Sequence, residues 1–592
     1  MRFNELLLKF LIWRVKHIST KNFTIIISGI IGIVAGLAAV TLKESVHIIQ
    51  KYLTHNFKEN IENYLYLSYP LIGILLTVLL SKYILKEKLG HGITDILYSI
   101  SKKSSIVKRT KTFSRMLTSA LTVGFGGSVG LEAPIVVTGS AIGSNIGRLV
   151  HLNYKKRTLL IGCGSAGAIS AIFNSPIAGV IFSIEVILSE ITINSFIPLL
   201  IASVCGALVS LTLLGDDVLF SFTLTDTFHA SETPFYIFLG IFTGLVSLYF
   251  TRVTNHVESI LHNVKGDISK ALIGGIGLGF LIFILPPLYG EGYDTIKLLL
   301  NGQHQQIFNN SMFFGEIDSI VFFILFTAAV ILVKPTATAL TIGSGGSGGI
   351  FAPSLFIGGI TGFLFAYLIN LMGLTDPIST SNFTLVGMSG VLSGVLHAPL
   401  TAIFLIAEIT SGYTLFVPLM IVSAISYSTI SYFEKYSIYT KPLIEKGDLI
   451  YHDKDRQVLS LIDLNKIVET DLLTINPKAN LGELVNLVRH SKRNIFPVVD
   501  DNKELLGIIT LDDIREIMFD TESRKSIIIE TLMHKPPTFV SSKESMQAVM
   551  IKFEKTGAWN LPVIDEGRYV GFVSKSRIFN AYRKKLIRQQ IE

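Results

Sequence analysis

Charge is scarce in this chain of 592 residues: Asp, Glu, Lys and Arg make up 16% of it, against ~25% in an ordinary soluble domain. So few charges cannot cover a soluble surface of this size. With 49% hydrophobic residues and a mean hydropathy of +0.54, the sequence reads as a membrane protein. Cysteine is scarcer still. Cys163 and Cys205, both in apolar segments, exclude a disulfide framework and predict buried thiols. The first stretch, MRFNELLLKFLIWRVKHISTK, lacks a small-residue cleavage site after an apolar core, which predicts a cytoplasmic arm over residues 1–22 and not a secretory signal. Enzyme signatures are also missing. The 13 histidines are spread along the chain without an HExxH pair. GGSVG and GGSGG match GxSxG in form, but that motif needs a strand before it and a helix after it, and these stretches lie between apolar helices. No nucleic-acid motif accompanies the net charge of +7, which is accounted for by basic loops at 102–115 and 155–157 that the positive-inside tendency places in the cytoplasm.

What is present is a series of apolar segments from about residue 23 to 432, such as FTIIISGIIGIVAGLAAVTL and SIVFFILFTAAVILV, near the ~20 residues a spanning helix needs. Several are shorter or broken by Gly and Pro. Composition changes near residue 445, where a charged, soluble C-terminal part begins. The expected organisation is an arm (1–22), a membrane region (23–444), a linker (445–466) and two small α/β copies (467–522 and 523–592).

The membrane region repeats itself. GGSVGLEAP (Gly126 to Pro134) aligns without a gap with GGSGGIFAP (Gly345 to Pro353) at an offset of 219 residues. NSPIAGVIFSIE (Asn174 to Glu185) aligns with HAPLTAIFLIAE (His397 to Glu408) at an offset of 223. Short Gly-interrupted segments at matching positions of two halves mark helices broken at the membrane midplane with their N-termini aimed at a substrate; the alternative is that the glycines are packing faces of ordinary helices. Free N–H groups at such termini suit an anion, and the missing side chains let it approach closely. Glu132 lies within the first of these stretches. Its carboxylate is itself an anion, able to occupy an amide-lined site until protonated or displaced, or else it is a buried, neutral structural acid. The matching residue in the second half is Phe351, so the halves differ in chemistry.

These motifs resemble those of the CLC chloride channels and chloride/proton antiporters. GLEAP is similar to the family's GxEGP, GIFAP to its GxFxP, and LGHGIT (Leu89 to Thr94) lies where its GSGIP belongs. The resemblance implies an all-α polytopic membrane protein with an inverted internal repeat, assembled as a homodimer in the lipid bilayer with one pathway in each subunit. It also implies that Glu132 is the gating glutamate, that the amides of Ile350 and Phe351 coordinate the anion, and that His91 and Gly92 line its site. Tyr439 then closes the inner side with its hydroxyl, unless it is an interfacial aromatic. Ala133 departs from the family pattern beside the gate. His91 and Thr94 replace a serine and a proline, so a titrating imidazole enters the site, or His91 only caps a helix or faces solvent. Val186 stands where many antiporters carry a proton-transfer glutamate, next to the family-wide Glu185. Channel-like conduction is therefore expected, with proton-coupled exchange through Glu190 or water as the alternative.

The tail repeats too, NIFPVVDDNKELLGIITLDDI pairing with NLPVIDEGRYVGFVSKSRI, with the prolines at 497 and 562 corresponding. Each copy reads as strand, turn, strand, helix. This resembles a tandem pair of CBS domains, whose family implies an adenine nucleotide (ATP, ADP or AMP) as regulator, held by Thr510 and Asp513 in the first copy and by Ser574 in the second, where Arg577 replaces the acid. A purely structural pair is the alternative. Chloride or a similar small anion is the expected substrate, no cofactor is required, and the plasma (inner) membrane with cytoplasmic termini is the expected location. A CBS-regulated cation transporter would need acidic or carbonyl-rich membrane motifs, which the amide-rich glycine stretches do not supply.

Overall fold

The computed structural model describes residues 2–54, 64–87, 90, 92–188, 193–215, 228–308, 311, 319–373, 376–410, 412–448, 459 and 462–591. It divides into two compact units, Met1–Leu449 and Ile450–Glu592.

The first unit is helical. Its first half holds α1 (Arg2–His17), α2 (Thr20–Thr54), α3 (Tyr69–Leu79), α4 (Gly92–Lys102), α5 (Ser114–Gly124), α6 (Glu132–Leu149), α7 (Tyr154–Phe173), α8 (Pro176–Phe182) and α9 (Ile193–Leu214). Its second half holds α10 (Thr233–Asn263), α11 (Asp267–Ile284), α12 (Tyr293–Leu300), α13 (Ile320–Gly343), α14 (Phe351–Met372), α15 (Thr380–Leu396), α16 (Pro399–Ile409) and α17 (Phe416–Phe433), with α18 (Lys441–Glu445) after it. Among the described residues, eight helical stretches are long and apolar enough to cross a membrane, while α8 and α16 belong to shorter apolar helices. The packing repeats between the halves: α7 lies against α2, α6 and α9, as α15 lies against α10, α14 and α17.

Local sequence explains the breaks. Asn174 and His397 end α7 and α15 in the left-handed region, with φ of 54° and 56°. A proline two residues on, Pro176 or Pro399, starts the next helix where its missing N–H costs nothing. Glycine fixes the tightest crossings. A Cβ on Gly164 of α7 would lie 1.9 Å from the carbonyl oxygen of Gly139 on α6, and one on Gly362 of α14 would lie 1.9 Å from that of Phe383 on α15. Lipid supplies no hydrophobic drive between helices, so close backbone approach carries the association. Cys163 is buried in α7 as expected, whereas Cys205 is only half-buried, on the α9 face that meets Gly29 of α2.

The second unit is α/β. Helix α19 (Leu481–His490) precedes an antiparallel pair, β1 (Ile495–Val499) and β2 (Leu505–Thr510), then α20 (Leu511–Ile514). Short helices α21 (Ser523–Ser526) and α22 (Ile529–Leu532) lead to α23 (Met546–Thr556), the pair β3 (Asn560–Asp565) and β4 (Arg568–Ser574), and α24 (Lys575–Ile591). The copies are laced together. Glu469, ahead of the first copy, bridges Phe572 of β4, and His534, ahead of the second, bridges Ile508 of β2.

Gly164→Ala is expected to destabilise the protein by about 1–3 kcal/mol, because the backbone clash outweighs the roughly 1 kcal/mol that alanine gains over glycine in a helix. Gly277→Ala on α11, where a Cβ would meet only Leu340 side-chain carbons at 3.5 Å or beyond, is expected to be neutral or stabilising. Thermal unfolding of both purified variants in detergent checks the contrast.

Candidate functional site

The two glycine stretches meet. Gly130 N–H donates to the Gly349 carbonyl at 2.9 Å, and Gly349 N–H donates to the Gly130 carbonyl at 2.8 Å. Flanking hydroxyls repeat the exchange: Ser347 N–H donates to Thr122 Oγ1 at 3.0 Å, and Ser128 N–H to Thr341 Oγ1 at 3.2 Å. Each half thus satisfies the irregular backbone of the other, and the N-termini of α6 and α14 are brought side by side. The first N–H groups of each helix have no intrahelical acceptor, so the junction collects partial positive charge.

Glu132 is the first residue of α6 and only 2% exposed. Its Oε1 accepts from the Tyr293 hydroxyl at 2.7 Å. Oε2 is buried with no hydrogen-bond partner among the described residues. The carboxyl lies near its own N–H and that of Ala352, in the first turn of α14. Space for it exists because Gly130 has no side chain; a Cβ there would lie 2.0 Å from Oε2. Ile350 and Phe351 are buried at the start of α14, and the Phe351 ring packs against Phe173 and Phe182 at centroid distances of 5.4 and 6.3 Å.

Tyr439 joins the same region. It is 2% exposed, its hydroxyl has no partner among the described residues, and it lies within electrostatic range of Glu132. Thr94 Oγ1 donates to its carbonyl at 3.0 Å, which ties the start of α4 to it. Gly92 begins α4 against α6, where a Cβ would lie 2.5 Å from Val137 Cγ2. His91 and Glu190 lie outside the described residues.

Glu185 has a defined partner. Its carboxylate accepts from the N–H groups of Leu400 at 3.2 Å and Thr401 at 2.8 Å, and from the Thr401 hydroxyl at 2.7 Å. Glu408 returns the contact, accepting from Ile177 N–H at 2.9 Å and Ala178 N–H at 2.8 Å. Each repeat's glutamate therefore caps the short helix of the other repeat, α16 or α8. Val186, half-buried in the same π-helical turn, packs on the membrane core.

Sequence reasoning missed a third segment that closes over the glycine loop. Gly290 N–H donates to the Gly126 carbonyl at 3.2 Å, Ser128 Oγ to the Leu288 carbonyl at 2.6 Å, and Leu131 N–H to Glu291 Oε1 at 3.2 Å. Beneath it, the fully buried Lys334 donates to the carbonyls of Gly290 at 3.2 Å and Leu288 at 3.4 Å. A signal was available, since Lys334 is the lone charge in α13 and Glu291 interrupts an apolar stretch.

In the second unit, Thr510 and Ser574 line one cleft of about 490 Å³, with Arg493, Asp512, Trp559 and Glu469. Asp513 is engaged elsewhere, accepting from the Thr510 N–H at 2.6 Å and hydroxyl at 2.7 Å as a helix cap, 3.5 Å from His534 Nδ1. A carboxylate does reach Ser574, but from Glu469, which accepts its hydroxyl at 2.6 Å and pairs with Arg493 at 2.5 Å. Arg493 also hydrogen-bonds Asp471, holding that carboxyl below the usual carboxylate range.

The family model for the voltage gated chloride channel matches residues 72–431, and that for the CBS domain matches 464–520 and 529–584. The chain is 26% identical to the chloride channel protein CLC-e of Arabidopsis thaliana over 82% of this chain and 75% of that protein. It is 28% identical to the H(+)/Cl(-) exchange transporter ClcA of Vibrio cholerae serotype O1 (strain M66-2) over 67% of this chain and 84% of that one. A solved eukaryotic CLC transporter shares the fold at a TM-score of 0.61 and 19% identity, covering 94% of this chain and 99% of that one.

Glu185→Ala and Glu408→Ala should each cost about 1–3 kcal/mol, since each leaves a pair of helix N–H donors without acceptors. Unfolding midpoints should fall in both variants while the ratio of chloride to nitrate flux stays at the wild-type value.

Proposed function

The chain belongs to the voltage gated chloride channel (CLC) family of anion transport proteins, and from that premise we propose that it passes chloride or a similar small anion along a pathway gated by Glu132. The observation that carries this reading is the buried Glu132 carboxylate, with one oxygen unpartnered among the described residues, set against the N-terminus of α14. A permeating anion competes for the same amide-rich position, with the amides of Ile350 and Phe351 as its donors. Protonation or displacement of the carboxylate then clears the path. Few formal charges face the ion, which suits conduction, because it must bind well enough to enter and weakly enough to leave. The Tyr439 hydroxyl, buried and without a partner among the described residues, is available to the ion on the other side of the site, with Gly92 at the start of α4.

Channel-like conduction is the first reading, supported by Val186, which cannot carry a proton. Proton-coupled chloride exchange is the second, supported by the relatives called H(+)/Cl(-) exchange transporters. The CBS pair is read as a regulator taking an adenine nucleotide in the cleft lined by Thr510 and Ser574, whose volume lies in the range of small-ligand sites. Asp513 would turn from its cap to the ribose on binding. A homodimer in the plasma (inner) membrane with cytoplasmic termini completes the proposal.

Purified protein in liposomes under a chloride gradient, with chloride and protons recorded together, tests the mechanism. Chloride flux without uphill proton movement is expected; coupled proton uptake would establish exchange. Glu132→Gln should abolish at least about tenfold of the pH dependence of flux, and an unchanged pH response would remove Glu132 from the gate. Calorimetry of the full-length protein with ATP and AMP should show binding that Asp513→Ala weakens about tenfold. Absence of binding to the wild type would remove the nucleotide.

A further inference from the structure

The gate carboxylate is not alone. Glu291 sits on the loop between α11 and α12, and its Oε1 takes the N–H of Leu131, the residue immediately before Glu132. Two residues further along, Tyr293 at the start of α12 donates its hydroxyl to Glu132. One short segment therefore holds both the gate and a second acid close enough for their charges to interact. The segment is firmly set. Gly292 adopts a φ of 88°, and a Cβ there would lie 2.3 Å from the Phe356 ring, while Lys334 Nζ is bonded to the carbonyls of Leu288 and Gly290 and lies 4.6 Å from the centroid of that ring.

The two acids differ in access. Glu132 is fully enclosed, whereas Glu291 is partly exposed. Around Glu291 stand Glu132, Asp294, Tyr293, Lys43 of α2 and Lys334 of α13; around Glu132 stand Glu291, Tyr293 and Tyr439. Where two carboxylates lie this close, each charge bears on the other and protons titrate from the pair. We propose that Glu291 is a second proton-binding group of the gate, whose charge state governs the readiness of Glu132 to take a proton and release the anion site. This rests on Glu132 being the gate. Lys43 and Lys334 are the cations within electrostatic range of Glu291.

The test is chloride current through the full-length protein in planar bilayers, with pH stepped on one side at a time. Glu291→Gln removes a negative charge beside Glu132, so more acid is needed to protonate the gate. The activation midpoint should move by about one pH unit toward acid, a tenfold change in proton concentration, with the maximal current retained. Glu132→Gln is run in parallel. If it loses its pH response while Glu291→Gln keeps the wild-type midpoint, the proposal for Glu291 is overturned and the gate stands. If Glu132→Gln keeps the full pH response, the gate itself is lost, and Glu291 with it. Should Glu291→Gln fail to accumulate, Glu291→Asp, which draws the charge back by one methylene, carries the test: a smaller shift than one unit supports the pair, and no shift overturns it.

Discussion

The exchange of two hydrogen bonds between Gly130 and Gly349 is the contact on which the rest of the site depends. At membrane depth a backbone that leaves helical geometry must find its partners within the protein. Here the two irregular stretches serve as each other's partners. Because they are bonded to one another, α6 and α14 begin at one place, and their unsatisfied N–H groups point into one small volume. An amide-rich position for an anion follows from the need to terminate two helices together. Glycine is required on both sides, since a Cβ at 130 would occupy the space that Glu132 uses and one at 349 would lie 2.8 Å from Ala133 Cβ.

Around that junction the scaffold is symmetric and the chemistry is not. The threonines at 122 and 341, the left-handed caps at 174 and 397, and the glutamates at 185 and 408 recur in matched roles. The candidate site residues break the match. Phe351 stands in the second repeat where Glu132 stands in the first, and the 286–293 segment with Glu291 and Tyr293 closes over the first loop. The matched elements, Glu185 and Glu408 included, satisfy backbone groups and packing; Glu132, Glu291 and Tyr293 have no counterpart in these roles. A duplicated frame of this kind can hold a single directional site without giving up the close glycine crossings that stabilise each half.

Most of the frame was legible in the sequence. The repeats, the broken helices, the change of composition near 445 and the strand–turn–strand copies of the tail are patterns of local order, and backbone physics reads them directly. Glu132 was legible for a related reason, as a lone acid in an apolar, glycine-rich stretch. What stayed hidden is pairing over long separations. Tyr293 reaches Glu132 across 161 residues, and Glu185 reaches Thr401 across 216. Nothing in either neighbourhood names the other. The same holds in the second unit, where Ser574 meets a carboxylate from Glu469, 105 residues away, and not from its own helix. Asp513 shows the converse, a residue whose local spacing suits both a ligand and a helix cap, with the cap occupying it in this structure.

The crossed glutamate caps bear on how the chain is made. When the first half emerges and enters the membrane, Glu185 has nothing to hold, because Leu400 and Thr401 are not yet synthesised, and the start of α8 waits equally for Glu408. Until α16 is made, the Glu185 carboxylate and the two N–H groups at the start of α8 lack the partners they have in the folded protein. Only a chain translated through to α16 can close both caps, so the first repeat is completed by residues made long after it.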